Sequence, residues 1–427
     1  MALAQTATFG QTARNLTPAP APRVLVFDEA GGGTHTDFQR ALDEAENGDL
    51  VLLRSDVTNG PSQGFVVRGK GLTLLGERAR RRLGGPSSYF CEGSLRIEGV
   101  PADAVFVLRN LRFESECPSS FGGPGDVPGA LRILDTEGSV WIEDCEVVVP
   151  SDGFFFLSPS DDVSGIEIRD AAEVVVQRTV VAGPDALDLQ ETRLGQALAI
   201  RRSTVLAFDS SFLGRNGAPI ANGTLFPNAD GEDGVHLEDS SLFASGCSIR
   251  GGDTGASTQL SCTFWGIGGT GLFALRSTVD AFACQIEGGE VPANSCFGLP
   301  GPDTLPVAST VRTATGTPRS LSATSPTRSG ATTILCAVGQ PNDSLVLIYG
   351  LLPEALRLSS STNALLLTPV AVTPLLGPLA SDGTFELPLT VHSPPQRDHM
   401  TLFVQGLFLP TAGPAQLSGG TTVTVLP

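Results

Sequence analysis

Six segments of this 427-residue chain align with one another without a gap. They are Phe106-x-Leu108-x-x-Leu111-x-Phe113, Val140-x-Ile142-x-x-Cys145-x-Val147, Val174-x-Val176-x-x-Thr179-x-Val181, Val205-x-Ala207-x-x-Ser210-x-Phe212, Leu242-x-Ala244-x-x-Cys247-x-Ile249 and Val279-x-Ala281-x-x-Cys284-x-Ile286. Their starts lie 34, 34, 31, 37 and 37 positions apart, a period typical of solenoid repeats. Ahead of each stands another alternating pair: Leu95/Ile97, Leu131/Ile133, Ile166/Ile168, Leu198/Ile200, Val235/Leu237 and Leu272/Ala274. Each repeat thus supplies three short strands with one face inward. No repeat can bury that face alone, so the repeats must stack.

Two residues separate the second strand from the third, and the latter of them is Asn110, Asp144, Arg178, Asp209, Gly246 or Ala283. Four of these six are types that tolerate left-handed backbone, as a sharp corner requires. The column that follows, Leu111, Cys145, Thr179, Ser210, Cys247 and Cys284, is mostly small and weakly polar, which suits an interior corner and makes its three cysteines core thiols. In these features the chain resembles the right-handed parallel β-helix proteins of the pectate lyase superfamily, whose second turn is a two-residue corner often carrying Asn. The resemblance covers roughly residues 25–315 and is specific for fold, not for activity. It implies an all-β architecture with three parallel sheets, rungs about 4.8 Å apart and a cap at each end.

Thr36 with Gln39 reads as a capping box, and Phe38, Ala41, Leu42 and Ala45 form one apolar stripe before Asn47-Gly48. This predicts a helix over 37–46 that lies as a lid on the open end of the coil. Strands follow at Leu50–Leu53, Phe65–Val67 and Leu72–Gly76. Residues 1–23, with Pro18, Pro20 and Pro22, read as an extended leader. Ala2-Leu3-Ala4 before Gln5 is either the small-residue end of a signal-peptide cleavage site lacking its upstream regions or a chance Ala-rich start.

The net charge of −18 argues against nucleic acid and anionic membrane as partners. No apolar run reaches 18 residues, so no membrane span is expected. Gly 50 and Pro 31 fit a turn-rich β protein. Cys91 with Cys117 and Cys262 with Cys296 are candidate loop disulfides, consistent with an extracellular or cell-surface location. The histidines His35, His236, His392 and His399 are scattered and no Cys/His spacing suggests zinc.

Long loops at 114–130, 150–164, 182–196, 214–233 and 250–270 join each third strand to the next first strand. Insertions on one edge of a solenoid often mark its binding side. Alternation places two outward rows on the adjacent first sheet: Arg96, Arg132, Glu167, Ala199, His236, Phe273, and Glu98, Leu134, Arg169, Arg201, Glu238, Leu275. Arg132, Glu167, Arg169, Arg201, His236 and Glu238 are therefore the candidate catalytic face. Asp161, Asp162, Asp230 and Asp233 are candidate oxygen ligands for Ca²⁺, with Asp185, Asp188 and Glu232 nearby.

A β-elimination on a uronate would need Ca²⁺ or an arginine at the carboxylate and a base for the adjacent proton, with Arg169 or Arg201 the candidates. A glycoside hydrolase would need a carboxylate pair, Glu167 with Glu238 or Asp161. The competing reading is an exposed Arg/Glu ladder, each pair contributing less than about 1 kcal/mol. Of the motif set of the polygalacturonase-like members, Asn-Thr-Asp, Asp-Asp, Gly-His-Gly and Arg-Ile-Lys, only Asp161-Asp162 is present. Gly234-Val235-His236 departs from Gly-His-Gly, and Lys70, the sole lysine, is remote. No catalytic role transfers.

Residues 297–320, with Pro300, Pro302, Pro306 and Pro318, read as linker. Residues 316–427 carry short, widely spaced strands and predict a small antiparallel β-sandwich. Around Leu402–Gly406 and Leu417-Ser418 it is similar to C-terminal modules of secreted bacterial repeat proteins, which implies attachment or capping of the exposed coil end. The expectation is a monomeric, non-catalytic surface protein that binds polysaccharide or builds matrix. The alternative is a polysaccharide lyase or hydrolase acting on an acidic polysaccharide at the first sheet.

Overall fold

The computed structural model describes residues 22–57, 64–77, 80–83, 95–114, 130–148, 163–182, 195–217, 230–255, 266–291, 298–357, 364–393 and 397–427. Cys91, Cys117, Cys262, Cys296, Asp161, Asp162, Asp185 and Asp188 lie outside them.

The repeats stack as a parallel β-solenoid. The first sheet runs from Phe65–Arg68 through Leu95–Glu98 to Thr304–Val307, and the third from Arg81–Leu83 to Gln285–Glu287. The second runs from Val24–Phe27 to Thr310–Ala314. Strands Leu131–Glu143 and Val163–Gln177 pass through the first corner without a break and so belong to the first and second sheets together. Inward residues such as Ile97, Ile133, Ile168, Ile200 and Leu237 form one fully buried core along the axis.

Hydrogen bonding at the corners explains the polar columns. All six residues of the expected left-handed corner have positive φ, from 45° at Arg178 to 65° at Gly246. Just after it, Thr179 and Ser210 each donate to the carbonyl two residues back, 3.0 and 2.8 Å. The backbone N–H of Cys145 donates to Thr179 Oγ1 and that of Thr179 to Ser210 Oγ. Cys145, Cys247 and Cys284 occupy equivalent positions as free thiols. Burial pushes the Cys145 thiol up to about 12, which keeps it protonated. A second left-handed column, not recognised in the sequence, forms the first corner at Gly69, Gly99, Asp135, Asp170, Arg202, Asp239 and Arg276. Behind it Ser203, Ser240, Ser277 and Ser309 accept from the N–H of Ala171, Ser203, Ser240 and Ser277 at 2.8–3.1 Å. Where the turn interrupts the sheet ladder, these hydroxyls satisfy the buried backbone.

The helix covers the N-terminal end, but it spans Phe38–Glu44 and its N-cap is Asp37, not Thr36. The Asp37 carboxylate reaches the N–H of Arg40 at 3.0 Å, and Gln39 is used elsewhere. Phe38 packs edge-on against Phe27 and Phe65. Lys70 donates to the carbonyls of Leu42, Asp43 and Ala45, satisfying the helix C-terminus.

Residues 304–307 and 310–314 form a further rung, so the segment expected to be linker is largely solenoid. Among the described residues this last rung has no strand beyond it. The register gives the inner hydrogen bonds to odd residues, Leu272 N–H donating to Asp303 and Arg276 N–H to Val307. Pro306 therefore stands where an N–H would face the open edge, a proline placement that blunts pairing. Both ends were expected to be covered; at this end Leu305 and Val307 are exposed.

From Ala314 the chain doubles back along the second corner. Pro318 crosses Gly246, where a Cβ would come within 2.8 Å of the proline ring. The carbonyls of Leu321, Ala323 and Ser325 then accept from Arg178, Arg109 and Asn110. The C-terminal unit has a three-stranded sheet, including Thr332–Val338, and a five-stranded sheet, including Met400–Leu409 and Gln416–Leu426, packed around Leu335, Leu347, Val404, Phe408 and Val423, with a two-stranded ribbon of Pro353–Arg357 and Ala364–Leu367 beside them. It sits side-on against the second sheet, not on the coil end. The outward row Val107, Trp141, Val175, Leu206 and Phe243 packs against Ile348, Leu366, Leu367 and Phe403. An apolar outward row on a solenoid face requires a cover, and the sandwich supplies it.

Candidate functional site

The first sheet carries the candidate face in the expected register. Arg96, Arg132, Glu167, Ala199, His236 and Phe273 are successive neighbours, as are Glu98, Leu134, Arg169, Arg201, Glu238 and Leu275. Strand pleating alone turns these side chains outward, because their neighbours Ile133, Ile168, Ile200 and Leu237 fill the core.

The charges on this face pair with one another. Arg132 Nε lies 2.7 Å from Glu167, whose other oxygen is 3.9 Å from Arg169. Arg201 Nε is 3.5 Å from Glu238, and the same carboxylate is 3.4 Å from His236 Nε2. On the other side of the ring Nδ1 is 3.0 Å from Asp233, and Phe273 stacks on the imidazole at 4.5 Å between centroids. At the N-terminal end Arg68 and Arg96 converge on Glu98.

This arrangement has chemical consequences. Both nitrogens of His236 face carboxylates, so neither is directed at a substrate proton. Glu167 and Glu238 stand two rungs and two residues apart, about 12 Å at Cα from strand and sheet spacings. Glu167 also leans to Arg132, away from Glu238. Each faces a guanidinium.

The acidic residues proposed for Ca²⁺ are occupied where they are described. Asp230 accepts from the N–H of Ile267 at 2.8 Å, and Asp233 from the N–H of Thr270 at 3.1 Å. Among the described residues no group of three or more acidic, histidine or cysteine side chains is arranged to hold a metal.

The loop stems beside this face were not anticipated. Outgoing and incoming segments of successive turns interleave through backbone hydrogen bonds. Glu232 N–H donates to Arg215, Gly252 to Glu232, Gly269 to Gly252, Gly289 to Gly269 and Gly301 to Gly289. A Cβ at Gly252 would lie 1.7 Å from a neighbouring backbone oxygen, so only glycine fits. The glycine spacing was visible in the sequence, but its meaning depends on which turns meet.

The most heavily buried charges lie elsewhere, under the sandwich. Glu143 is fully buried and accepts from Thr421 Oγ1 at 2.5 Å and from the N–H and Oγ1 of Thr422 at 3.0 and 2.5 Å, as well as from Arg178. Arg109 lies 3.4 Å from Glu143 and 3.1 Å from Asp144, and donates to Thr422 Oγ1 at 2.8 Å. Burial opposes the charge on Asp144, but Arg178, Arg109 and Arg80 hold its pKa below the usual range. These residues join the two units, with Glu143 and Arg109 buried between them. Comparison of the sequence with protein-family models and with curated proteins found no match. The class that the fold defines is a parallel β-solenoid with a β-sandwich-like unit on its flank.

Proposed function

We propose that this is a non-catalytic extracellular or cell-surface protein that binds polysaccharide or serves as matrix structure. The observation that carries the reading is the pairing on the first sheet, where Glu167, Glu238 and Asp233 each have a cationic or imidazole partner within 4 Å. A ladder of this kind stabilises and solubilises a face and presents a rigid hydrogen-bonding surface. The acidic balance of the chain supports a neutral over a polyanionic polymer.

The test is incubation of the purified protein with polyuronates and neutral polysaccharides, with Ca²⁺ and with chelator. The expected outcome is retention on a polymer with neither unsaturated product nor new reducing ends. Unsaturated product lost in Arg201→Ala would replace this reading with a lyase. New reducing ends lost in Glu167→Gln and Glu238→Gln would replace it with a hydrolase. The enzyme reading keeps one support of its own: glycine-packed segments, among them 230–234, 250–252 and 268–271, line the edge beside His236 and Phe273.

A further inference from the structure

The second-corner column ends in two cysteines on successive rungs, Cys247 and Cys284. We propose that they are a disulfide-forming pair, which oxidation by a peroxide closes, tying the terminal rung of the third sheet to the rung before it.

Three observations carry this. The first is register. Ser245 pairs with Phe282 before the corner and Ser248 with Gln285 after it, and the Gln285 N–H donates to the Cys247 carbonyl at 2.9 Å. The two Cα atoms are therefore neighbours at the rung spacing of about 4.8 Å, inside the range of about 4.4–6.8 Å that a disulfide spans. The sulfurs occupy the same place on their rungs, that of Cys247 3.5 Å from the Ser245 carbonyl oxygen and that of Cys284 3.4 Å from that of Phe282. The two thiols also hydrogen-bond to one another.

The second is the difference between their surroundings. Cys247 is buried, and burial, followed by the hydrogen bond to Cys284, pushes its thiol well above the usual cysteine range. Cys284 is half-buried, at the end where the described strands of the third sheet stop. The hydrogen bond to Cys247 holds its thiol below the usual range, against the effect of burial. Cys284 is thus the thiolate that an oxidant meets first, and Cys247 the protonated partner beneath it.

The third is the contrast with Cys145. Its neighbours in the column are Leu111 and Thr179, so no second sulfur is within a rung of it.

The chemistry balances with a peroxide as the oxidant. The Cys284 thiolate attacks one peroxide oxygen, the O–O bond breaks, and the leaving oxygen takes a proton, which gives a sulfenic acid. The Cys247 sulfur then attacks the Cys284 sulfur and displaces hydroxide, which leaves as water with the Cys247 proton. With hydrogen peroxide, two thiols yield one disulfide and two waters.

The test is hydrogen peroxide on the reduced full-length protein, followed by peptide mapping. The expected product is a peptide pair joined through Cys247 and Cys284, lighter by two hydrogens, reversed by dithiothreitol and accompanied by a rise in melting temperature. Ser210 fills the same column position natively, so Cys247→Ser and Cys284→Ser preserve the corner. In Cys247→Ser, peroxide should leave a Cys284 sulfenic acid that dimedone traps, with no rise in melting temperature. In Cys284→Ser, Cys247 should remain a thiol. The proposal is overturned by absence of the link at a dose that oxidises the half-buried Cys336, or by a link of either cysteine to a different one. Dimedone labelling of Cys247 in Cys284→Ser, or a link that leaves the melting temperature unchanged, would overturn it as well.

Discussion

Gln39 and Val66 exchange two hydrogen bonds, each 3.0 Å: the Gln39 amide donates to the Val66 carbonyl and accepts from the Val66 N–H. A side-chain amide thus mimics the strand that the first sheet lacks at its N-terminal edge. An edge satisfied in this way is closed to pairing with another chain. Gln39→Ala is expected to destabilise the protein by about 1–3 kcal/mol. It should also promote association, so urea unfolding and light scattering at increasing concentration would both report it. Unchanged stability and dispersity would show that the helix alone protects the edge.

The Arg109, Glu143, Asp144 and Arg178 cluster predicts an asymmetry. Glu143→Gln keeps the shape but leaves two guanidinium groups facing a neutral amide under the sandwich, and should cost about 3–5 kcal/mol. Replacing Glu143, Arg109 and Arg178 together by Leu, Met and Met, with Asp144→Asn to remove the carboxylate that both guanidinium groups face, should cost much less, because no buried charge is then left unpaired. Denaturant unfolding of the two variants should rank them in that order.

Two buried groups give stability opposite slopes with pH. Burial pushes the Asp209 carboxyl up to about 7, with Arg178 opposing, and its Oδ2 has no partner among the described residues. The folded state therefore holds its proton more tightly than the unfolded chain. Stability falls as pH rises from about 4 to about 7, by at most about 4 kcal/mol, and then levels. His399 behaves conversely. Its folded pKa is lowered by burial, so its contribution is present above about 6.5 and is lost as pH falls below that. Asp209→Asn should raise the melting temperature at pH 8 and leave it nearly unchanged at pH 4, a difference readable by calorimetry.

The corner hydroxyls predict which substitutions the solenoid tolerates. Ser240 Oγ accepts from the N–H of Ser203 at 3.1 Å and donates to the carbonyl of Glu238 at 2.6 Å. Ser240→Ala should cost about 1–3 kcal/mol by stranding the Ser203 N–H, whereas Ser240→Thr should cost under about 1 kcal/mol. Equal unfolding free energies for the two variants would show that shape, not hydrogen bonding, sets this column.

The repeat itself determined the architecture. Alternation at Leu131/Ile133 or Val235/Leu237 can bury only one face, and the recurring corner at Asn110, Asp144 and Asp209 admits one stacking. Register, core and the outward rows of the first sheet followed, because strand periodicity is a local property. Other features depended on which distant surfaces meet. Gln39 pairs with Val66, besides donating to Asp43 of its own helix, because the edge strand lies in reach. Pro306 closes a rung and not a linker because the strand before it offers a ladder. The row Val107, Trp141, Val175, Leu206 and Phe243 looked like ordinary alternation, yet it is the seat of the sandwich. Nothing in a single strand records what covers its outer face, so the partner of Trp141 is set by packing between residues more than two hundred positions apart. The same holds for the candidate site. Its members were legible in the sequence, but the pairing of Glu167 with Arg132 and of His236 with Asp233 was decided by side-chain geometry in the assembled stack.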